Sequence, residues 1–448
     1  MPTTTDRAGD TCNFRHRPWL MKSCFPNPNE QIHPPRYKDP PRHCCGTIST
    51  TSAAAASKIP PPTAAAAVLH SHTQQASICS LPDDLLLECF SQVPLSSLPS
   101  LSLVCRRWSL LIDSSHFSDL RRRQLTLHQT IYAVSITETG LSAASIRIGH
   151  DSSWKYFHFL STDMLQGLLT HARVSSIGRN IYLIGRTSMV RCDAWTGRMT
   201  EQSSTTYPRK KFAAAVVAGK IYIAGGSAGA SVVEEYDPDC DTWRVVARSP
   251  RKRYGCIGAS ADGVFYVIGG LRIGSAGDQV SRAASAEAHV YASSMDLYDV
   301  KARGWLRSQS VPGGGCVVAA CAADGIVYVL TSHALELSFW RFDGRRKSSG
   351  SAAGVGSFGD WRRMNPPPLP AQVRLDTSVR FSFVTFEDKV VLIQVMGCID
   401  DLLRRSGRMS RGLREGLVLV YDGVAGEWSR EPDLPEVMRR AACVCVEC

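Results

Sequence analysis

With 448 residues the chain has room for two or three domains, or for one long repeat array with an appendage. A 44% apolar fraction is ordinary for a globular protein, and no run approaches the ~20 apolar residues that cross a bilayer, which argues against a membrane protein. The formal net charge of +11 raises nucleic acid as a partner, but the basic residues fall in scattered triplets, RKK at 209–211, RKR at 251–253 and RRK at 345–347. They form neither one arm nor one basic helix, so nucleic-acid binding is not expected.

Residues 1–77 are rich in Pro, Ala, Ser, Thr and His and show no hydrophobic periodicity. Too little apolar surface is available there to offset chain entropy, which predicts a disordered leader. Its first residues lack the charged-then-apolar layout of a secretory signal, and Asp6, Asp10 and Glu30 argue against a transit peptide. The 16 cysteines are dispersed, which fits free thiols in a reducing compartment. Cys445-x-x-Cys448 has no partner pair, so no metal is expected; Cys443 and Cys445 instead predict one face of a strand that alternates with Val444 and Val446.

The next segment, from Ser80, reads SLPDDLLLECFSQVPLSSLPSLSLVCRRWSLLI. Leu85, Leu86, Cys89, Phe90 and Val93 make one broad helical stripe, and Asp83 and Asp84 suit a helix N-terminus. Leu98, Leu101, Val104, Cys105, Trp108, Leu111 and Ile112 make a second stripe, split over two short helices and crossed by Pro99. About 40 residues cannot bury so many large apolar groups internally, so the surplus calls for a partner surface.

Beyond residue 124 the texture becomes short Val/Ile/Tyr runs between Gly and Asp turns, an all-β pattern. GKIYIAGG (219–226) followed by EEYDPDCDTWRVV (234–246) returns as DGVFYVIGG (262–270) followed by DLYDVKARGWLRS (296–308), with weaker copies on both sides. Trp154, Trp195, Trp243, Trp305, Trp361 and Trp428 mark a period of roughly 40 to 70 residues. Six such copies predict a six-bladed β-propeller. The first copy has no room for an innermost strand, and an orphan strand, RRAACVCV, follows the sixth tryptophan; placing it in the first blade closes the ring. The Gly225-Gly226 and Gly269-Gly270 pairs mark buried strand ends where the backbone turns, and Tyr222, Trp243, Tyr266 and Trp305 belong to blade core.

These repeats resemble kelch repeats over about residues 130–448, although Arg186, Leu330-Thr331 and Gln394-Val395 depart from the glycine pair. The helical segment resembles an F-box: Leu81, Pro82, Asp84, Leu85 and Leu86 match its opening, Val93, Pro94 and Leu98 its middle, and Leu103, Val104, Cys105, Arg106 and Trp108 its close. The order looks like that of plant F-box/kelch-repeat proteins, the Skp-interacting partners. Expected boundaries are 1–77 for the leader, 78–122 for a small all-α F-box and 124–448 for the all-β propeller. The resemblance implies that Leu81, Pro82, Leu85, Leu98, Val104 and Trp108 dock the Skp adaptor of a cullin–RING ubiquitin ligase. It also implies a non-catalytic subunit without cofactors, in nucleus and cytoplasm, that presents a target protein for ubiquitination. The alternative is a kelch scaffold that promotes no degradation; a propeller enzyme is disfavoured because the β-region histidines are isolated.

In an up-and-down blade, segments entering the first strands share one face with loops joining second to third strands. Arg209, Lys211, Arg251, Arg253, Arg380 and Arg440 occupy such entries, and the loop 397–415 adds Arg404, Arg405, Arg408, Arg411 and Arg414. Guanidinium forks there suit an acidic or phosphorylated target segment. Ser348 and Ser349 in the basic loop 343–360 are candidate phosphorylation sites.

Overall fold

The computed structural model describes residues 78–137, 140–160, 172–227, 229–272, 291–333, 336–345, 359–369, 380–396, 416–438 and 440–447. The leader, Ser348, Ser349 and the arginines of 404–414 lie outside these residues. The chain divides into two compact units: of the smaller, Pro26–Leu86, residues 78–86 are described, and the larger comprises Met1–Phe25 and Leu87–Cys448.

A 3-10 turn, Ile78–Ser80, precedes helix α1 (Asp83–Ser91), whose first turn carries Asp83 and Asp84 against its positive end. Helix α2 (Leu98–Ser102) accommodates Pro99 in its first turn, where the missing N–H would have had no partner. Helix α3 (Arg106–Ile112) starts abruptly after Cys105, which is fully extended. Helix α4 (Ser115–Arg123) is capped by Ser114, whose Oγ accepts the Phe117 N–H at 3.2 Å. Phe90 meets Trp108 edge-on at 4.8 Å, and Ile112 and Phe117 are buried as well. Arg121 is the unusual member of this core. Its guanidinium donates to the carbonyls of Ser91 (3.2 Å), Val93 (2.9 Å) and Thr126 (2.6 Å), tying the end of α1 to the short connection that leads into the propeller.

The strands form six antiparallel sheets, with one short pair, Arg253–Tyr254 and Leu271–Arg272, beside them. Blade 2 runs outward through Arg173–Ile177, Asn180–Ile184, Met189–Asp193 and Met199–Gln202. Blade 3 follows with Ala213–Val217, Lys220–Ala224, Val232–Asp237 and Thr242–Arg248; blade 4 with Ile257–Ala261, Val264–Ile268, Ser294–Asp299 and Gly304–Trp305. Blade 5 comprises Cys316–Ala323, Ile326–His333, Glu336–Asp343 and Asp360–Met364; blade 6 comprises Arg380–Phe386, Lys389–Met396, Val418–Asp422 and Glu427–Glu431. Blade 1 combines Gln129–Thr137, Gly140–Ile146 and Lys155–Leu160 with an innermost strand taken from far along the chain, Ala442–Glu447, which pairs Ile131 with Cys445 and Val134 with Ala442. The expected closure is therefore the one observed. Each inner strand lies against the next, and Ala442–Glu447 completes the circle beside Arg173–Ile177. On it, Cys443 and Cys445 pack toward blade 6 while Val444 and Val446 pack toward blade 2, the alternation the sequence implied.

The glycine pair has a steric reason. Gly226 has φ +72°, and a Cβ there would sit 2.5 Å from the Lys210 carbonyl oxygen and 2.8 Å from the Phe212 Cβ. Near the axis, a Cβ on Gly258 of blade 4 would land on the backbone of Ala214 of blade 3. Gly258→Ala is expected to lower stability by about 1–3 kcal/mol, as overpacking does, read from the urea midpoint at unchanged slope.

Between blades the filling is systematic. In blades 3 to 6 a third-strand aromatic faces an outer-strand tryptophan: Tyr236–Trp243 (5.1 Å), Tyr298–Trp305 (5.2 Å), Phe342–Trp361 (4.9 Å) and Tyr421–Trp428 (5.0 Å). In blades 3, 4 and 6 the indole N–H then reaches back to the preceding blade, whereas the Trp361 indole N–H of blade 5 is buried without a partner among the described residues. Trp243 donates to the Ser203 carbonyl (2.9 Å), Trp305 to Arg248 (2.6 Å), Trp428 to Asn365 (2.9 Å) and Trp154 of blade 1 to Pro432 (2.9 Å). Trp195 breaks the expected series. It lies in the hairpin between the third and outer strands of blade 2, under the Arg179 guanidinium at 4.4 Å.

Candidate functional site

Two surfaces bear on function. The first is the apolar exposure of the helical segment. In the smaller unit Leu85 is 53% exposed, Pro82 is exposed and Leu81 half-buried; in the larger, Leu103 (73%), Val104 (58%) and Leu110 (60%) stand in solvent. Leu98 and Trp108 do not. Both are buried in the helical core, where the resemblance had implied an adaptor-facing position. The helical period alone does not say which side of a stripe the fold covers; Leu103, part of the F-box resemblance but not of the expected docking set, and Leu110 both fall off the stripe. Exposure of several large aliphatic groups within one short stretch of sequence is the mark of an interaction segment.

Helices α2 to α4 of the larger unit are anchored on the propeller. Asp113 pairs with Arg179 at 2.7 Å, Arg179 with Asp193 at 3.1 Å, and Arg122 with Glu447 at 2.9 Å. Leu95 packs on the apolar cluster shared by blades 1 and 2. These contacts lie at the end of the disc where inner strands finish.

The second surface is the opposite end, where inner strands begin. Arg209 and Arg253 stand at corresponding points of blades 3 and 4, yet both are only 1% exposed. Arg209 Nε donates to Glu234 at 2.8 Å and its Nη1 to the Gly225 carbonyl at 2.7 Å; Arg253 Nε donates to Asp296 at 2.8 Å and its Nη1 to the Gly269 carbonyl at 2.7 Å. The expectation that these two cations face a ligand is therefore corrected: each braces its own blade, joining the glycine turn to the third strand. Arg251 is half-buried and shares Asp296 at 3.2 Å. Lys211, half-buried with φ +51°, holds its ammonium 5.5 Å from the Tyr254 ring. Arg380 and Arg440 are exposed.

The structure adds Arg173, at the start of the blade 2 inner strand. Its guanidinium crosses to blades 3 and 4, donating to the carbonyls of Phe212 (2.7 Å) and Cys256 (3.1 Å). Desolvation holds its pKa below the ordinary arginine value; the Cys256 thiol opposes that and the nearby Arg380 charge adds to it. Among the described residues neither Arg173 nor Arg380 is paired with a carboxylate. The sequence signal was available, since Arg173 opens a strand in HARVSSIG as Arg380 does in SVRFSF.

The family model of the F-box domain matches residues 78–120 and that of the Kelch motif matches 208–250, the span of blade 3. F-box/kelch-repeat protein At5g26960 of Arabidopsis thaliana is 54% identical over 98% of this chain and 99% of its own length. This chain belongs to the plant F-box/kelch-repeat family. A second Arabidopsis thaliana relative, F-box/kelch-repeat protein At1g67480, is 25% identical over 43% of this chain and 54% of its own. As an F-box/kelch-repeat protein the chain combines an adaptor-type helical segment with a protein-recognition propeller. The exposed leucines thus lie inside the F-box match, and the braced Arg209 lies inside the kelch match.

Proposed function

We propose that this F-box/kelch-repeat protein is the substrate-recognition subunit of an Skp–cullin–F-box ubiquitin ligase. The F-box docks the Skp-type adaptor, and through it the cullin and RING subunits. The observation that supports this most directly is the exposure of Leu85, Leu103, Val104 and Leu110 within a segment matched as an F-box. An interface of ~2,000 Å² at ~25 cal/mol per Å² supplies ample association energy for such a surface after ordering costs. The subunit itself catalyses nothing. It accelerates transfer by holding target and ubiquitin donor together, and a fixed geometry serves that purpose.

The target binds where the inner strands begin, away from helices α2 to α4. Arg173, Arg380 and Arg440 there favour an acidic or phosphorylated segment. Co-expression of the full chain with a Skp-type adaptor is expected to give one co-eluting complex, and deletion of 78–120 to abolish it. Failure of the full chain to co-elute would defeat the docking assignment. Stabilisation of the captured target when the chain is lost separates degradation from scaffolding. Arg173→Ser with Arg380→Ser is expected to weaken capture of an acidic target peptide by roughly tenfold or more, since charge-assisted hydrogen bonds contribute about 1.5–3 kcal/mol each.

A further inference from the structure

Register places Tyr132, Tyr182, Tyr222, Tyr266 and Tyr328 at equivalent points of second strands, each looking toward the next blade. Between blades 2 and 3 the space beside Tyr182 is filled by Tyr236 at 5.9 Å and by Trp243, and beside Tyr328 it is filled by Tyr421 at 6.4 Å and by Trp428. Blade 2 departs from this rule. The residue in register with Tyr236 is Cys192, and the outer-strand residue facing it is Met199 instead of tryptophan. Two aromatic side chains are thus replaced by two slender ones.

What remains is a cavity of about 220 Å³ between blades 1 and 2, walled by Tyr132, Leu141, Ala143, Leu183, Cys192 and Trp195. Its polar neighbours are already engaged: the Asp193 carboxylate accepts the N–H of Trp195 (2.9 Å) and Thr196 (3.0 Å), and the Ala194 carbonyl accepts the Tyr132 hydroxyl at 3.3 Å. Burial pushes the Cys192 thiol up to about 11, so it stays a neutral wall. Apolar cavities of about 150 Å³ hold benzene, so this one has room for a fused bicyclic ring.

We infer that the cleft between blades 1 and 2 is a binding site for a small neutral planar aromatic molecule of indole size, which takes the place that an aromatic pair occupies in blades 3 to 6. Leu95 of the helical segment packs on the same apolar cluster, so an occupant also braces the floor on which those helices rest. The probe is 5-fluoroindole, added to the full chain and followed by fluorine NMR and thermal melting. Saturable line broadening and a melting temperature that climbs with probe concentration are expected, as for any ligand that prefers the folded state. Cys192→Tyr with Met199→Trp is expected to raise the melting temperature without probe and to weaken binding by roughly tenfold or more. Ala143→Leu, which narrows the cleft from blade 1 alone, is expected to weaken it too and decides the matter if the double variant does not fold. No saturable binding, or binding unchanged in the filled variants that fold, overturns the inference.

Discussion

Arg209→Met is expected to be among the most damaging single changes in the propeller, lowering the free energy of unfolding by about 3–5 kcal/mol. The Arg209 and Glu234 side chains are both fully buried, and their closest approach is 2.6 Å. Removing the cation leaves Glu234 charged in the interior with the Thr206 N–H (2.8 Å) as its remaining donor, and strips the Gly225 carbonyl of its partner. The companion change matters as much. Arg209→Met with Glu234→Leu is expected to recover most of the loss, because the penalty comes from an uncompensated charge and apolar replacements of similar volume remove it. Urea unfolding of the parent, the two singles and the double forms a complete cycle. A single variant within about 0.5 kcal/mol of the parent would show that the brace contributes nothing.

Leu85→Glu with Val104→Glu is expected to weaken adaptor binding by at least about 100-fold while leaving the melting temperature unchanged. Apolar anchors at the centre of an interface lose about 2 kcal/mol or more each on truncation, and a buried unpaired carboxylate adds to that loss. Both side chains stand in solvent in the free protein, so folding has little to lose. Trp108→Ala gives the opposite pattern: it removes the ring that Phe90 packs against, and costs the helical core about 3–5 kcal/mol. Loss of binding in Trp108→Ala therefore reports unfolding, whereas loss in the glutamate pair reports docking. Calorimetric titration with the adaptor, paired with circular-dichroism melts, separates the two. Parent-like affinity in the glutamate pair would remove the docking assignment.

Much of the architecture was legible because its signals are local. A strand of alternating Cys and Val, a Gly-Gly turn and a Tyr-Asp followed by Trp each occupy about ten residues, and six spaced copies leave a ring as the natural way to bury them. Pairings across distance were not legible. Charge marks Arg209 and Arg253 as cations but is silent on Glu234 and Asp296, which lie 25 and 43 residues away. A faint clue existed, because each acid stands two residues before the tyrosine of its Tyr-Asp pair, Tyr236 or Tyr298, and each arginine four residues before an inner strand. Trp195 misled for a related reason. Its spacing fits the period, but side-chain position is set by register, and register gives the place to Met199. In the helical segment the periodicity located the apolar stripes and could not tell covered from uncovered positions.

The inner strand of blade 1, Ala442–Glu447, meets a partner, Gln129–Thr137, some 300 residues earlier in the chain. During synthesis the F-box helices and successive hairpins have local contacts to form, but the circle stays open until that distant segment has emerged. At a translation rate of about 5–20 residues per second, the interval is on the order of tens of seconds. Throughout it the strand Gln129–Thr137 presents an unpaired edge, a template for pairing with any other extended chain. The same strand follows α4 in the chain, so in a half-made copy the open ribbon edge lies a few residues beyond the F-box helices. A premature stop anywhere before residue 442 leaves that edge without its partner strand.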